Sequence, residues 1–100
     1  MENLITINKT PKGTTVVSAR ELYDGLGLGS MNWSRWYDKN IVKNQFVKEN
    51  EDWIGFFTMK NGNETKDFTI TLDFAKRLAM QAKTEKGEQI RSYFIECEKK

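Results

Sequence analysis

The sequence predicts a small α+β domain with β-hairpins, a winged-helix-like order of elements and a helical hairpin at the end of the chain. Turn signals at Gly13 and at Asn61-Gly62 each separate two short runs with the period-two alternation of strands. Other stretches repeat apolar residues at helical spacing. Two helices joined by a glycine turn and followed by a hairpin have the order of a helix-turn-helix with a wing.

The first elements are a hairpin and a short helix. Residues 4–8 alternate as one strand, and residues 14–17 return as the second arm. Ser18 is a favourable N-cap for a helix over residues 19–26, because Glu21 follows at the spacing of a capping box. A glycine-rich turn then ends this helix.

A second helix is predicted over residues 33–44, with Ser30 or Asn32 as its cap. Its inward face would carry Trp33, Trp36, Tyr37 and Ile41. An apolar anchor at Phe46 and Val47 follows, and a polar crossing then leads to the second hairpin.

The second hairpin joins residues 53–59 to residues 67–71, and the rest of the chain is helical. Thr71 and Thr84 are positioned to cap two successive amphipathic helices. Their apolar stripes consist of Leu72, Ala75, Leu78, Ala79 and Ala82 in the first helix and of Ile90, Phe94 and Cys97 in the second. Because the connection between these helices is short, we expect them to lie side by side as a helical hairpin.

Length and composition are those of one globular domain of 100 residues, with 38% apolar and 30% charged residues. No apolar run is long enough to cross a bilayer, and the N-terminus lacks the pattern of a secretory signal. The single cysteine excludes an internal disulfide and is typical of a reducing cytosol. The chain ends within a predicted helix, so we expect residues 1–100 to be the N-terminal module of a longer protein.

The residue types argue against an enzyme. The chain has no histidine, which is the commonest general base and metal ligand. One cysteine cannot form a thiolate zinc site, and no acidic pair has the spacing of a metal pocket. We therefore predict a non-catalytic domain without a metal or cofactor.

The second predicted helix carries the strongest candidate for a binding surface. With its aromatic residues turned inward, its outward face presents Arg35, Lys39 and Lys43 at i, i+4 and i+8. Asn32 and Ser34 stand at its start. Cations neutralise DNA phosphates, and Arg and Asn side chains can contact base edges. Ordinary solvation of an amphipathic helix explains the same pattern equally well, and an aspartate interrupts the row.

Two weaker candidates lie elsewhere in the chain. Lys60 and Lys66 flank the second hairpin turn and could contact a DNA backbone as a wing does, although turn residues are commonly polar for conformational reasons. On the last helix, Ile95 lies outside the apolar stripe with Arg91 nearby. This second face could form a dimer or partner interface.

With these elements in place, the chain resembles the AntA/AntB family of phage antirepressor domains over residues 16–98. The resemblance is carried by Ser18-Ala19-Arg20-Glu21-Leu22, Trp33-Ser34-Arg35-Trp36, the crossing from Phe46 to Trp53, Asp67-Phe68, Ile70-Thr71-Leu72-Asp73, Ala75-Lys76, Leu78-Ala79-Met80, Thr84-Glu85-Lys86-Gly87, Arg91, Tyr93-Phe94-Ile95 and Glu98. The match in the tail is specific because it combines capping, core and charged positions.

The resemblance implies a bacteriophage or prophage regulator of the lysogeny switch that acts by binding, in the cytosol of the bacterial host. It leaves two alternative targets open, namely phage operator DNA and the phage repressor protein. A homodimer is a further possible assembly. Family members often carry a separate C-terminal domain, and no membrane is expected to be involved.

Overall fold

The computed structural model describes residues 5–98, except the side chains of Ser30, Lys60 and Glu98. Its strands are β1 (Ile7–Lys9), β2 (Thr15–Ser18), β3 (Trp53–Lys60) and β4 (Asn63–Thr71). Its α-helices are α1 (Ala19–Leu26), α2 (Trp33–Tyr37), α3 (Leu72–Gln81) and α4 (Glu85–Glu98). Within residues 5–98, the strands form one antiparallel sheet of order β1-β2-β4-β3, and the helices pack on one face of it. The predicted α+β class is confirmed.

Both hairpins form around the predicted turns. In the second, Asn61 and Gly62 have φ values of 54° and 80°, which are the positive values of a type I′ turn. The returning strand β4 begins at Asn63 rather than at residue 67, because its first residues continue the pairing with β3 up to the turn. The predicted second strand, 14–17, is confirmed as β2 with a shift of one residue.

The first predicted strand, residues 4–8, is displaced toward the C-terminus. Residue 4 lies outside the described residues, and β1 extends from Ile7 to Lys9. Ile5 is instead buried in the core, where its carbonyl accepts a hydrogen bond of 3.0 Å from the Tyr93 hydroxyl. Ile5 is thereby held by α4 rather than by the sheet.

Three predicted helix caps are present. The Ser18 hydroxyl accepts a hydrogen bond from the Glu21 amide, Thr71 accepts from the Phe74 amide, and Thr84 accepts from the Gly87 amide. The Glu21 carboxylate does not close the capping box, because it accepts from the Thr6 amide at 3.2 Å instead. The helices therefore begin where the sequence places them.

The predicted helix over residues 33–44 is less regular than its sequence pattern indicates. It opens with a 3-10 turn over Ser30–Asn32, without a side-chain cap from Asn32, and α2 then gives way to a π turn over Asp38–Val42. The Lys43 amide donates to the Asp38 carbonyl, five residues earlier, at 2.9 Å. The side-chain amide of Asn40 donates to the Trp36 carbonyl at 3.0 Å and supports the widened turn.

The core is formed by Val17, Phe68 and Ile70 from the sheet and by the apolar faces of the helices. The apolar anchor predicted after α2 is only half correct, because Val47 is buried whereas Phe46 is 78% exposed. A turn in which the Phe46 amide donates to the Asn44 side chain at 2.9 Å precedes this outward-facing ring. Across residues 5–98, each helix falls short of the length and apolar character that crossing a membrane requires.

Candidate nucleic-acid interface

Strand β4 is longer than its neighbour β2, and side chains occupy the hydrogen-bonding positions that β2 leaves vacant. Pairing between these strands covers only residues 69–71 of β4. Beyond that point, the Lys66 carbonyl accepts a hydrogen bond of 3.0 Å from the indole nitrogen of Trp33. The Asp67 carboxylate accepts from the Phe68 amide at 2.6 Å, the Ser18 hydroxyl at 2.8 Å and the Arg20 amide at 3.1 Å. The N-terminal ends of α1 and α2 are therefore both fixed to this part of β4.

The inward face of α2 is held by an aromatic cluster. The ring of Trp33 is 7% exposed, and its centroid lies 5.0 Å from that of Tyr37, 5.3 Å from that of Tyr23 and 5.9 Å from that of Trp36. The Tyr23 hydroxyl also donates to the Gly29 carbonyl, which holds the turn between α1 and α2. The predicted aromatic side of the helix is thus confirmed, and it limits the ways in which α2 can be oriented.

The outward face of α2 and of the two turns that flank it presents most of the predicted DNA-binding residues to solvent. Asn32, Ser34, Arg35 and Lys39 are all exposed. Neither Arg35 nor Lys39 forms an ion pair with another of residues 5–98. Lys43 is also exposed, but its ammonium lies 2.9 Å from the Asp38 carboxylate. The predicted row of three cations therefore contains two that are unpaired.

Lys66 lies beside α2 on the same face of the sheet. Its ammonium is 5.1 Å from the ring centroid of Phe57 and 5.6 Å from that of Phe68, which are cation–π distances. Its carbonyl is the acceptor for Trp33, so it lies next to the N-terminal part of α2. The side chain of Lys60, the other predicted hairpin contact, lies outside the described part of the chain.

One cation near this surface was not predicted. The guanidinium of Arg20 lies 5.2 Å from the ring centroid of Trp33, and its Nε is 3.2 Å from the Asp24 carboxylate. The spacing of Arg20 and Asp24 on α1 predicts their ion pair. The contact with Trp33 depends on how α1 and α2 meet, which no local pattern in the sequence specifies.

The predicted partner interface on α4 lies apart from the α2 surface, because α4 packs on α1 and α3. Arg91 forms an ion pair of 3.3 Å with Glu88, and Ile95 is half-buried. A role of Arg91 and Ile95 in partner binding remains a prediction.

Fold and surface together define a small α+β domain that presents a cationic helix beside a β-hairpin. The model of the AntA/AntB antirepressor family matches residues 17–84, which is more than half of the chain. The chain therefore belongs to the AntA/AntB antirepressor family. The match extends from β2 to the residue that caps α4, so residues 85–98 lie beyond it. No curated protein and no solved structure gives a significant match. Membership suggests the role of a phage antirepressor, which is regulatory rather than enzymatic.

Proposed function

We propose that this antirepressor domain acts in the lysogeny switch by binding phage operator DNA, with α2 as the contact helix and the β3–β4 hairpin beside it. The observation that carries the proposal is the two-sided character of α2. Trp33 fixes its inward face to the sheet, whereas Arg35 on α2 and Lys39 in the π turn that follows are exposed. A helix held in this way can offer cations to phosphates and polar groups to bases.

The order of the elements supports the same function by analogy of fold. The helices α1 and α2 lie between β2 and β3 in the chain, and the sheet has the order β2-β4-β3. This is the order of a helix-turn-helix with a wing, in which the second helix enters the major groove. Asn32 and Ser34 would then contact base edges, while Arg35, Lys39 and Lys66 would contact phosphates.

The small number of available cations limits the electrostatic contribution to DNA binding. If Arg35, Lys39 and Lys66 neutralise about three phosphates, log K falls against log salt concentration with a slope of about −2.7. A fourfold increase in salt concentration would then weaken binding about 40-fold. Lys43 contributes little as long as it remains paired with Asp38.

The test is a fluorescence-anisotropy titration of duplex operator DNA at about 50 and about 200 mM salt. The double variant Arg35→Ala/Lys39→Ala removes two of the three phosphate contacts. We expect weaker binding at both salt concentrations, and a salt effect reduced from about 40-fold to about 4-fold. The matched control is Lys9→Ala/Arg77→Ala, which removes the same charge from exposed positions outside α2. Absence of binding by the parent chain at low salt, or equal loss in both double variants, would overturn the proposal.

Direct binding of the phage repressor is the second candidate function. It is favoured by exposed apolar side chains outside the sheet, since Met31 is 91% and Phe46 is 78% exposed. The predicted contact at Arg91 and Ile95 belongs to this alternative. Co-elution of the chain with purified repressor on a sizing column is its test, with Ile95→Asp expected to weaken the complex. Separate elution of the two proteins would contradict it.

A further inference from the structure

The outer edge of β3 carries unpaired backbone groups whose positions follow from the pairing with β4. The Thr71 amide donates to the Asp52 carbonyl at 3.0 Å, and hydrogen-bonded pairs alternate along an antiparallel ladder. The N–H and C=O groups of Gly55, Phe57 and Met59 therefore point away from β4. Nearer the start of the strand, the Trp53 carbonyl already accepts from the Asn50 amide at 2.7 Å. In the described part of the chain, the open edge thus consists of three residues.

The side chains along this edge are apolar and exposed. The exposed fractions are 51% for Ile54, 41% for Phe56, 63% for Phe57 and 67% for Met59. Monomeric proteins usually protect an edge strand with charged residues, proline or a bulge. Residues 53–59 contain no charged residue and no proline, and their pairing with β4 runs without interruption. Such an edge is suited to pairing with another strand.

We propose that β3 pairs with β3 of a second copy of this chain, antiparallel and about a two-fold axis at Phe57. In this register Phe57 of one copy lies opposite Phe57 of the other, and Gly55 of each copy lies opposite Met59 of the other. All three open residues of each copy then find partners, through about six backbone hydrogen bonds. The result is a continuous eight-stranded sheet with an isologous interface.

Charge and symmetry favour a second copy over an unrelated strand. β3 is preceded by Glu49, Glu51 and Asp52 and ends at Lys60, so antiparallel pairing brings its acidic start close to the basic end of the other copy. Interfaces of this kind are closed by symmetry and do not propagate into fibres.

The exposed area indicates a weak dimer. With about 200 Å² for each fully exposed large side chain, the four apolar residues of this edge expose roughly 400 Å² per copy. The pair could bury at most about 800 Å² from these side chains, whereas stable complexes bury about 1,200–2,000 Å² in total. The backbone edge and the flanking charges add to this area. We therefore expect a dissociation constant in the micromolar range.

The face of α4 is a poorer candidate for the dimer interface, because Ile95 is half-buried and Arg91 is already paired with Glu88.

Cysteine cross-linking tests the register. In a Cys97→Ser background, Phe57→Cys places the two thiols at opposed positions, where strand Cα atoms are about 5.5 Å apart. Met59→Cys is the matched control, because Met59 lies on the same face with similar exposure but would be about 14 Å from its counterpart. We expect mild oxidation to convert Phe57→Cys to a covalent dimer at least tenfold faster than Met59→Cys. Equal rates, a faster reaction of Met59→Cys, or no cross-linking of either variant would overturn the proposal.

Sedimentation of the chain without introduced cysteines tests the dimer itself. We expect the average mass to rise toward that of a dimer up to about 200 µM, consistent with micromolar affinity. Phe57→Glu would place two carboxylates opposite each other and should give a monomer with an unchanged far-UV circular dichroism spectrum. Phe46→Glu, at an exposed apolar position outside β3, should still form the dimer. A parent chain that stays monomeric, or a Phe57→Glu variant that still dimerises, would refute the pairing. A monomer that binds operator DNA would refute only the dimer.

Discussion

The hydrogen bond from Trp33 to the sheet can be tested by replacing this residue with Phe. The new side chain remains aromatic but lacks the N–H that donates to the Lys66 carbonyl. Since β2 does not reach this position, we expect the loss of the bond to cost about 1–2 kcal/mol. The smaller ring buries about 40 Å² less apolar area, which amounts to about 1 kcal/mol. The free energy of unfolding should therefore fall by about 2–3 kcal/mol.

The measurement is urea-induced unfolding followed by far-UV circular dichroism, which does not depend on tryptophan fluorescence. With a typical urea m value of about 1–3 kcal/mol/M, the midpoint should fall by about 0.7–3 M. Trp36→Phe is the matched control, because Trp36 belongs to the same aromatic cluster but is only half-buried. We expect it to lose less than about 1 kcal/mol. If the two variants agree within about 0.5 kcal/mol, the proposed role of the indole hydrogen bond is wrong.

Two further changes address other parts of the fold. Asp67→Ala removes an acceptor of three hydrogen bonds and should lower the free energy of unfolding by about 3 kcal/mol in the same urea titration. The control Asp73→Ala removes an exposed ion pair with Arg77 and should lower the free energy of unfolding by less than about 1 kcal/mol. Equal losses would contradict this assignment. Burial, and secondarily the charge of Cys97, raises the pKa of the Tyr93 phenol above its ordinary value of about 10. The unfolded chain therefore releases this proton first, and the contribution of Tyr93 to stability is complete below about pH 10 and is lost as the pH rises further. Tyr93→Phe should reduce this alkaline loss in urea titrations from pH 7 to 11, and an unchanged pH dependence would contradict the assignment.

Local features of the fold could be predicted because the sequence specifies them within a few residues. Ser18, Thr71 and Thr84 cap helices through amides three residues ahead, and Asn61-Gly62 forms its turn through its own dihedral angles. The buried faces of α3 and α4 follow from helical spacing in the same way. None of these features requires knowledge of a distant part of the chain.

The features that escaped prediction depend on tertiary contacts. The apolar spacing of residues 33–44 predicts a regular helix, but the π turn over Asp38–Val42 shortens it. The ion pair of Lys43 with Asp38 leaves two unpaired cations in the predicted row of three. The hydrophobicity of Phe46 predicts an apolar anchor, yet a local turn leaves this residue exposed. The apolar run at residues 53–59 predicts a strand but not its place in the sheet. Its position at the edge of the sheet, which leaves Phe57 uncovered, is set by the strand order.

The early end of β2 links a local sequence signal to a tertiary contact. Ser18 is both the last residue of β2 and the cap of α1, so the signal that starts the helix also ends the strand. As a consequence, β2 does not cover its side of β4 at Lys66, and the indole of Trp33 occupies that position. The orientation of α2 and of Arg35 on its outward face thus depends on a capping residue on another element. A local sequence signal at Ser18 therefore determines where the candidate DNA surface lies, although the site cannot be recognised from that signal.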